Sequence, residues 1–285
     1  MEQKQRPSFL SLEELATSYS NCQKCSLYQS RTSVVFGGGR QDSRLLLVLE
    51  SPNYEDDQVG GVCNGPEDLD LLLSMYAYTS KHREFSNIAG LLRSGEKPAI
   101  LSNPARIREL LLEEVFMTYA VLCRPTDPVF EGIKLGPSNP MQRKPTTSEI
   151  QACNSRLKNL VYVLDPLLII TLGSAAFQAF GGKGDIRDPK LHGSVQTIQL
   201  EGQTHGVVLK YPVVPLASPL HIARDGGADS VKVKGAMSAY SSFQKGWFQA
   251  FALYDHLHRI EYGTEIPDRP FYSEPEYGHY QRPLP

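Results

Sequence analysis

The stretch Leu45-Leu46-Leu47-Val48-Leu49-Glu50-Ser51-Pro52-Asn53 sets the terms on which the rest of the chain is read. It is a short apolar run without polar/apolar alternation, stopped by a carboxylate, a hydroxyl, a proline and an amide. Absence of alternation is what a strand buried on both faces of a mainly parallel sheet requires. Three further runs, at 115–123, 167–172 and 213–217, share this character. Around them the apolar residues adopt helical spacing, over 69–78, 106–114, 147–164, 174–180 and 236–260. Strands alternating with helices predict an α/β fold, a three-layer α/β/α sandwich around a central, mainly parallel four-stranded sheet. Ligands of such sheets bind beyond the carboxyl ends of the strands. The candidate functional residues are therefore those that end the runs: Glu50-Ser51-Pro52-Asn53, Cys123-Arg124-Pro125 and Ser218-Pro219.

The chain has 285 residues, 41% of them hydrophobic and 21% charged, the make-up of an ordinary globular protein. No run approaches the roughly 20 apolar residues that cross a bilayer. Residues 1–7 are polar and lack the apolar core of a signal peptide, so the expectation is a cytoplasmic protein with no membrane partner. The formal net charge of −2 does not advertise nucleic-acid binding, but phosphate contacts need only a local basic patch. Three segments fit the core poorly. Residues 79–104 form a polar insertion. Residues 124–146 hold five prolines with Lys134, Arg143 and Lys144 and read as a long loop, and 264–285 is a Pro- and Tyr-rich tail.

Five cysteines in a long chain of this kind argue against a disulfide framework and for a metal site using four of them. Cys22 and Cys25 form a C-x-x-C pair, Cys123 closes a predicted strand, and Cys153 lies in the first turns of a predicted helix. Thiolates suit zinc or an iron–sulfur cluster, and spacing alone leaves both open. His82, His192, His205, His256, His258 and His279 show no ligand spacing, and Trp247, Phe248 and Phe251 read as a core-facing helix stripe.

The motifs resemble, in order, those of the iron–sulfur (family 4-like) branch of the uracil-DNA glycosylase superfamily. Cys22-Gln23-Lys24-Cys25-Ser26-Leu27 and Val35-Phe36-Gly37-Gly38-Gly39 are similar to that branch's opening. Leu49-Glu50-Ser51-Pro52-Asn53 stands where it has Gly-Glu-Ala-Pro-Gly. Thr118-Tyr119-Ala120-Val121-Leu122-Cys123-Arg124-Pro125 stands where it has Thr-Asn-Val-Val-Lys-Cys-Arg-Pro. Pro145-Thr146-Thr147-Ser148-Glu149-Ile150-Gln151-Ala152-Cys153 matches a Pro-Thr-x-x-Glu-Ile-x-x-Cys helix start, and Leu172-Gly173-Ser174-Ala175-Ala176 a Leu-Gly-x-x-Ala turn. Ser218-Pro219-Leu220-His221-Ile222-Ala223-Arg224 occupies the place of His-Pro-Ser-x-x-x-Arg. The resemblance implies a [4Fe–4S] cluster on Cys22, Cys25, Cys123 and Cys153, with zinc as the alternative. It also implies DNA as partner, and a domain over 1–263 with insertions near 79–104 and 124–146, followed by the tail. A monomer is the expectation.

At the base pocket the resemblance breaks down. A DNA glycosylase grips a flipped base, and the uracil enzymes use a stacking Phe, a base-reading Asn and an anion-supporting His. These align here with Cys63, Tyr119 and Ser218. The expectation is therefore a monofunctional glycosylase that excises a modified, bulkier pyrimidine, with Cys63 and Ser218 opening space and Tyr119 and Asn64 lining the pocket. Glu50, Ser51, Asn53, Asp57, Ser218 and His221 form the candidate catalytic set, in which a carboxylate would orient water. Arg224, Arg143 and Lys144 are the candidate phosphate contacts. His221 also reads as a surface-loop histidine. The alternatives are a catalytically silent iron–sulfur module that binds DNA, and an ordinary uracil glycosylase.

Overall fold

The computed structural model describes residues 11–65, 104–113, 115–127, 142–201, 208–224 and 239–262. The four apolar runs become β2 (Leu45–Leu49), β3 (Phe116–Tyr119), β4 (Leu168–Leu172) and β6 (Val208–Leu216). They lie in the order β3-β2-β4-β6, every neighbouring pair parallel. The sheet is larger than the four strands expected. A two-residue β1 (Gly38–Gly39) pairs antiparallel with β3, and β5 (Gln196–Glu201) pairs antiparallel with β6, giving six strands in a mixed sheet. β1 consists of two glycines and offers no apolar signal. β5 alternates, with Ile198 and Leu200 buried and Thr197 and Gln199 exposed, the pattern of an edge strand that is one-sided rather than enclosed.

Alternate residues of each central strand serve opposite layers. Leu45, Leu47 and Leu49 join Met117, Tyr119, Ile170, Leu172, Val214 and Leu216 on the face covered by α7 (Ala239–Tyr262), where Phe243, Trp247 and Phe251 are buried. Leu46 and Val48 join Phe116, Ile169 and Val213 on the other face, beneath α1 (Leu12–Tyr19) and α4 (Thr147–Leu164). The three-layer α/β/α arrangement follows. α4 has the predicted bounds because both ends are written locally. Thr146 and Glu149 form a capping box at its start, and Asp165 stops it in the left-handed conformation at φ 44°. No helix among the described residues is long and apolar enough to cross a membrane.

Four more helices complete the described residues: α2 (Tyr54–Val59), α3 (Pro104–Leu112), α5 (Ser174–Gln178) and α6 (Pro219–Arg224). The chain leaves β2 for β3 on one side and later returns to β4 on the other, so the carboxyl end of β2 is the point where strand order reverses. Crevices of this fold open there. The expected helix at 69–78, nearly all of the insertion at 79–104, residues 128–141 of the long loop and the tail at 264–285 lie outside the described residues.

Leu47 has no solvent exposure and sits in the middle strand. Leu47→Ala is expected to cost about 2–5 kcal/mol of unfolding free energy, as buried leucine truncations do. Urea denaturation checks this: the midpoint should fall with the slope unchanged.

Candidate functional site

Glu50 leaves β2 at the reversal point and turns its carboxylate toward the start of α5. Its Oε1 accepts from the Ala175 amide at 2.9 Å and from the Ser174 hydroxyl at 3.3 Å, which supplies the helix start with the anion its own Gly173 cannot provide. Gly173 has φ +109°, and a Cβ there would lie 2.3 Å from the Glu50 side chain, so only glycine lets the carboxylate in. Oε2 has no hydrogen-bond partner among the described residues, and Glu50 is half-buried. Ser51 is half-buried in the bend that follows.

Asn53 is the N-cap of α2. Its side chain accepts from the Asp56 amide at 2.8 Å while Asp56 reaches back to the Asn53 amide, so the expected catalytic amide is tied to its own helix. Asp57 is buried and accepts from the Thr32 and Ser33 amides, fastening the segment that precedes β1. Ser218 is 7% exposed and accepts from the His221 amide at 3.3 Å. The expected loop setting of His221 is corrected: the residue lies half-buried in α6, within electrostatic reach of His192 and Asp185. Burial, then the charge of His221, disfavours protonation of His192, whose Nε2 is buried without a partner.

Asp56, absent from the candidate set, is the hub of this side. Its carboxylate is 1% exposed and accepts from the Tyr119 hydroxyl at 2.6 Å, the Asn64 amide at 2.8 Å, the Asn64 side chain at 3.1 Å and the Asn53 amide. Burial raises its pKa against the pull of these donors. The Tyr119 hydroxyl also accepts from the Cys63 amide at 3.2 Å. Cys63 takes the left-handed conformation at φ 55° and packs its thiol against Met117. Cys63 and Tyr119 are 3% and 1% exposed, and the Tyr119 hydroxyl is engaged by Asp56 and the Cys63 amide. Arg108 of α3 donates to the Asn64 side chain and closes this network from outside. The local signal for Asp56 was present, since Asn53-x-x-Asp56 is a capping-box spacing.

The cysteines lie on the opposite face of the sheet. Cys123 and Cys153 are buried in the α1/α4 layer, and Cys22 and Cys25 pack against it. Cys25 lies within electrostatic reach of Cys153 and Cys22, and Cys123 of Cys153 and Cys25. Burial pushes the Cys123 thiol up to about 11, opposed by Arg31. Among the described residues no three His, Cys, Asp or Glu side chains converge on a point that would hold a single metal ion. Thiolates on one zinc at about 2.3 Å stand about 3.8 Å apart, whereas a multi-iron cluster spreads its ligands more widely.

Two arginines attend the cysteines. Arg156, one helical turn beyond Cys153, is fully buried. It donates to the Thr118 hydroxyl at 3.0 Å and to the Tyr119 and Ala120 carbonyls, and its Nε has no partner. Burial lowers its pKa to about 10, with the cysteines acting in the opposite sense. A buried cation without a carboxylate partner calls for another anion, and four thiolates provide one. The charge of these surroundings therefore suits an anionic multi-iron centre on the four cysteines better than a single zinc ion. Arg31 donates to the Cys22 carbonyl at 2.6 Å and to the Cys123 sulfur at 3.4 Å.

Of the expected phosphate contacts, Arg143 is already engaged. It forms a two-pronged ion pair with Glu149 at 2.6 and 2.8 Å and a further pair with Asp127. Lys144 is exposed, and Arg224 ends α6. Arg124, at the end of the Cys123 segment, is 5% exposed with Nε and Nη2 unpartnered, its guanidinium 5.0 Å from the centre of the Tyr54 ring.

The sequence model of the uracil DNA glycosylase superfamily matches residues 36–239. A Type-4 uracil-DNA glycosylase of Thermotoga maritima is 26% identical over 183 residues, covering 64% of this chain and 72% of the relative. One from Sulfurisphaera tokodaii is 28% identical over 163 residues, covering 57% of this chain and only 54% of the relative. One from Archaeoglobus fulgidus is 23% identical over 213 residues, covering 73% and 85%.

Tyr119→Phe removes the donor to Asp56 and the acceptor of the Cys63 amide, and is expected to cost about 1–3 kcal/mol at neutral pH. The raised Asp56 pKa means that its favourable contribution is complete below the ordinary aspartate value and lost as pH rises through the folded one. A protonated Asp56 needs the phenol less. The penalty should therefore shrink on acidification through that window, measured as the difference between denaturation midpoints of variant and wild type.

Proposed function

The chain belongs to the uracil DNA glycosylase superfamily, and we propose that it excises a base from DNA by hydrolysing the N-glycosidic bond, leaving an abasic site. The observation that carries this reading is Glu50: a half-buried carboxylate at the reversal point of the sheet, fixed through Oε1 with Oε2 unengaged among the described residues. A carboxylate so held suits the orientation of water toward the sugar carbon and the stabilisation of the positive charge that develops there. The C1′–N bond breaks with its electron pair leaving on the base. Water forms the new C1′–O bond, and its proton passes to the departing base anion. In this reading His221 and Ser218 stand by the departing base anion. Cys22, Cys25, Cys123 and Cys153 would hold a [4Fe–4S] cluster, whose contribution is to brace the fold beside the DNA.

The base we propose is a modified pyrimidine rather than plain uracil. Tyr119 stands where the uracil enzymes read the base edge with an amide, and its hydroxyl is spent on Asp56 and Cys63. Room for a larger base comes in this reading from Ser218, the smaller replacement for histidine, and not from Cys63. Lys144, Arg224 and Arg124 are the cations we assign to the DNA backbone. The second reading, a catalytically silent DNA-binding module, draws on one observation: Asn53, Asp57 and Ser218 all use their side chains on neighbouring backbone amides.

The test is incubation with duplexes carrying uracil, hydroxymethylated or glucosylated pyrimidines, read as strand breakage after alkali. Cleavage of a modified duplex, lost at least about 100-fold in Glu50→Gln with folding intact, is the expected result. Cleavage of uracil DNA alone would return the protein to the ordinary activity. Absence of any cleavage with DNA binding retained would establish the silent module.

A further inference from the structure

The two arginines at the cysteine centre have no place in the base-excision reading. Arg156 is enclosed on the inner side and its polar partners are a hydroxyl and two carbonyls, all uncharged. Arg31 approaches from the outer side, half-buried, and joins the two parts of the cysteine set. One guanidinium nitrogen, Nη1, donates both to the Cys22 carbonyl and to the Cys123 sulfur, residues 101 positions apart in sequence. Among the described residues no carboxylate accepts from either guanidinium, whereas Arg143 is paired with Glu149 through both of its terminal nitrogens. Arg31 on the Cys123 sulfur, and Arg156 within electrostatic reach of Cys153, Cys123 and Cys22, are placed for an anion centred on those sulfurs.

We propose that Arg31 and Arg156 are the charge-balancing residues of the cysteine centre, and that Arg31, through its bond to the Cys123 thiolate, sets both the reduction potential of the cluster and how firmly it is retained. The inference rests on the iron–sulfur reading of Cys22, Cys25, Cys123 and Cys153. Four thiolates outweigh the positive charge of an iron–sulfur core, so the bound centre is anionic as a whole, and reduction makes it more so. Hydrogen bonds to the sulfurs, net charge and solvent exposure fix the potential of such clusters. A guanidinium on a ligand sulfur therefore favours the reduced form and lowers the tendency of that thiolate to protonate and leave. Arg156 supplies the same charge from within but also holds the end of β3, so its removal would confound charge with folding. Arg31 isolates the electrostatic part.

The experiment uses the full chain purified without oxygen, as wild type, Arg31→Leu and Arg31→Lys, with circular dichroism to confirm folding. Iron content, an optical reductive titration and the rate of visible bleaching under an iron chelator are read for each. Arg31→Leu should be at least tenfold harder to reduce, which is 59 mV for a one-electron couple, and should bleach at least tenfold faster. Arg31→Lys, which keeps the charge, should fall between it and wild type. A folded Arg31→Leu that is purified without iron, beside an iron-replete Arg31→Lys, equally supports the proposal. Wild-type potential and bleaching in Arg31→Leu would overturn it, as would equal cluster loss in both variants, since charge would then not be the cause. A wild-type protein holding zinc or no metal would instead remove the iron–sulfur reading on which the inference stands.

Discussion

A guanidinium buried without an acid to meet it is the constraint around which this molecule is arranged. Arg156 sits where β3 ends and donates to the buried carbonyls of Tyr119 and Ala120. Donating to them fixes the exit of the strand, and with it the direction in which Cys123 is delivered to the cysteine set. The charge that remains on the arginine is what makes an anionic centre there favourable. One side chain thus couples strand termination, the approach of a remote cysteine and the electrostatics of the site.

The sheet divides the remaining work between its faces. On one, α1 and α4 gather Cys22, Cys25, Cys123 and Cys153. On the other, Asp56 collects amide and phenol donors from α2, from the Cys63–Asn64 turn and from β3. Thr118 and Tyr119 are consecutive in β3 and point to opposite faces, so Arg156 on Thr118 and Asp56 on Tyr119 clamp the same strand end from both sides.

The parallel core was legible because burial on both faces leaves an unbroken apolar run, and α4 because its caps are written in Thr146, Glu149 and Asp165. β1 carried no signal, since it is two glycines, of which Gly39 is required by close approach rather than by burial: a Cβ there would meet the Val115 carbonyl at 2.1 Å. α2 hides in Tyr54-Glu55-Asp56-Asp57-Gln58-Val59, a charged segment whose helicity rests on the Asn53 cap and on the buried placement of its acids. At the pocket, cysteine for phenylalanine suggests space and tyrosine for asparagine a ring and a hydroxyl; that this hydroxyl bonds Asp56 and the Cys63 amide is a tertiary fact. Pairwise packing of residues 56 positions apart is not visible in local sequence.

The same lesson bears on whether engaged polar groups argue against catalysis. Asn53, Asp57 and Ser218 spend their side chains on backbone amides, and a decayed site would tolerate that. Preorganised sites also hold their side chains by such bonds, because a group that must reorient during reaction loses the advantage of being placed in advance. What separates the cases is whether, once the framework is satisfied, any acceptor is left over at the right spot. Glu50 meets that condition: Oε1 satisfies α5, Gly173 is kept free of a side chain so that the carboxylate can lie there, and Oε2 remains.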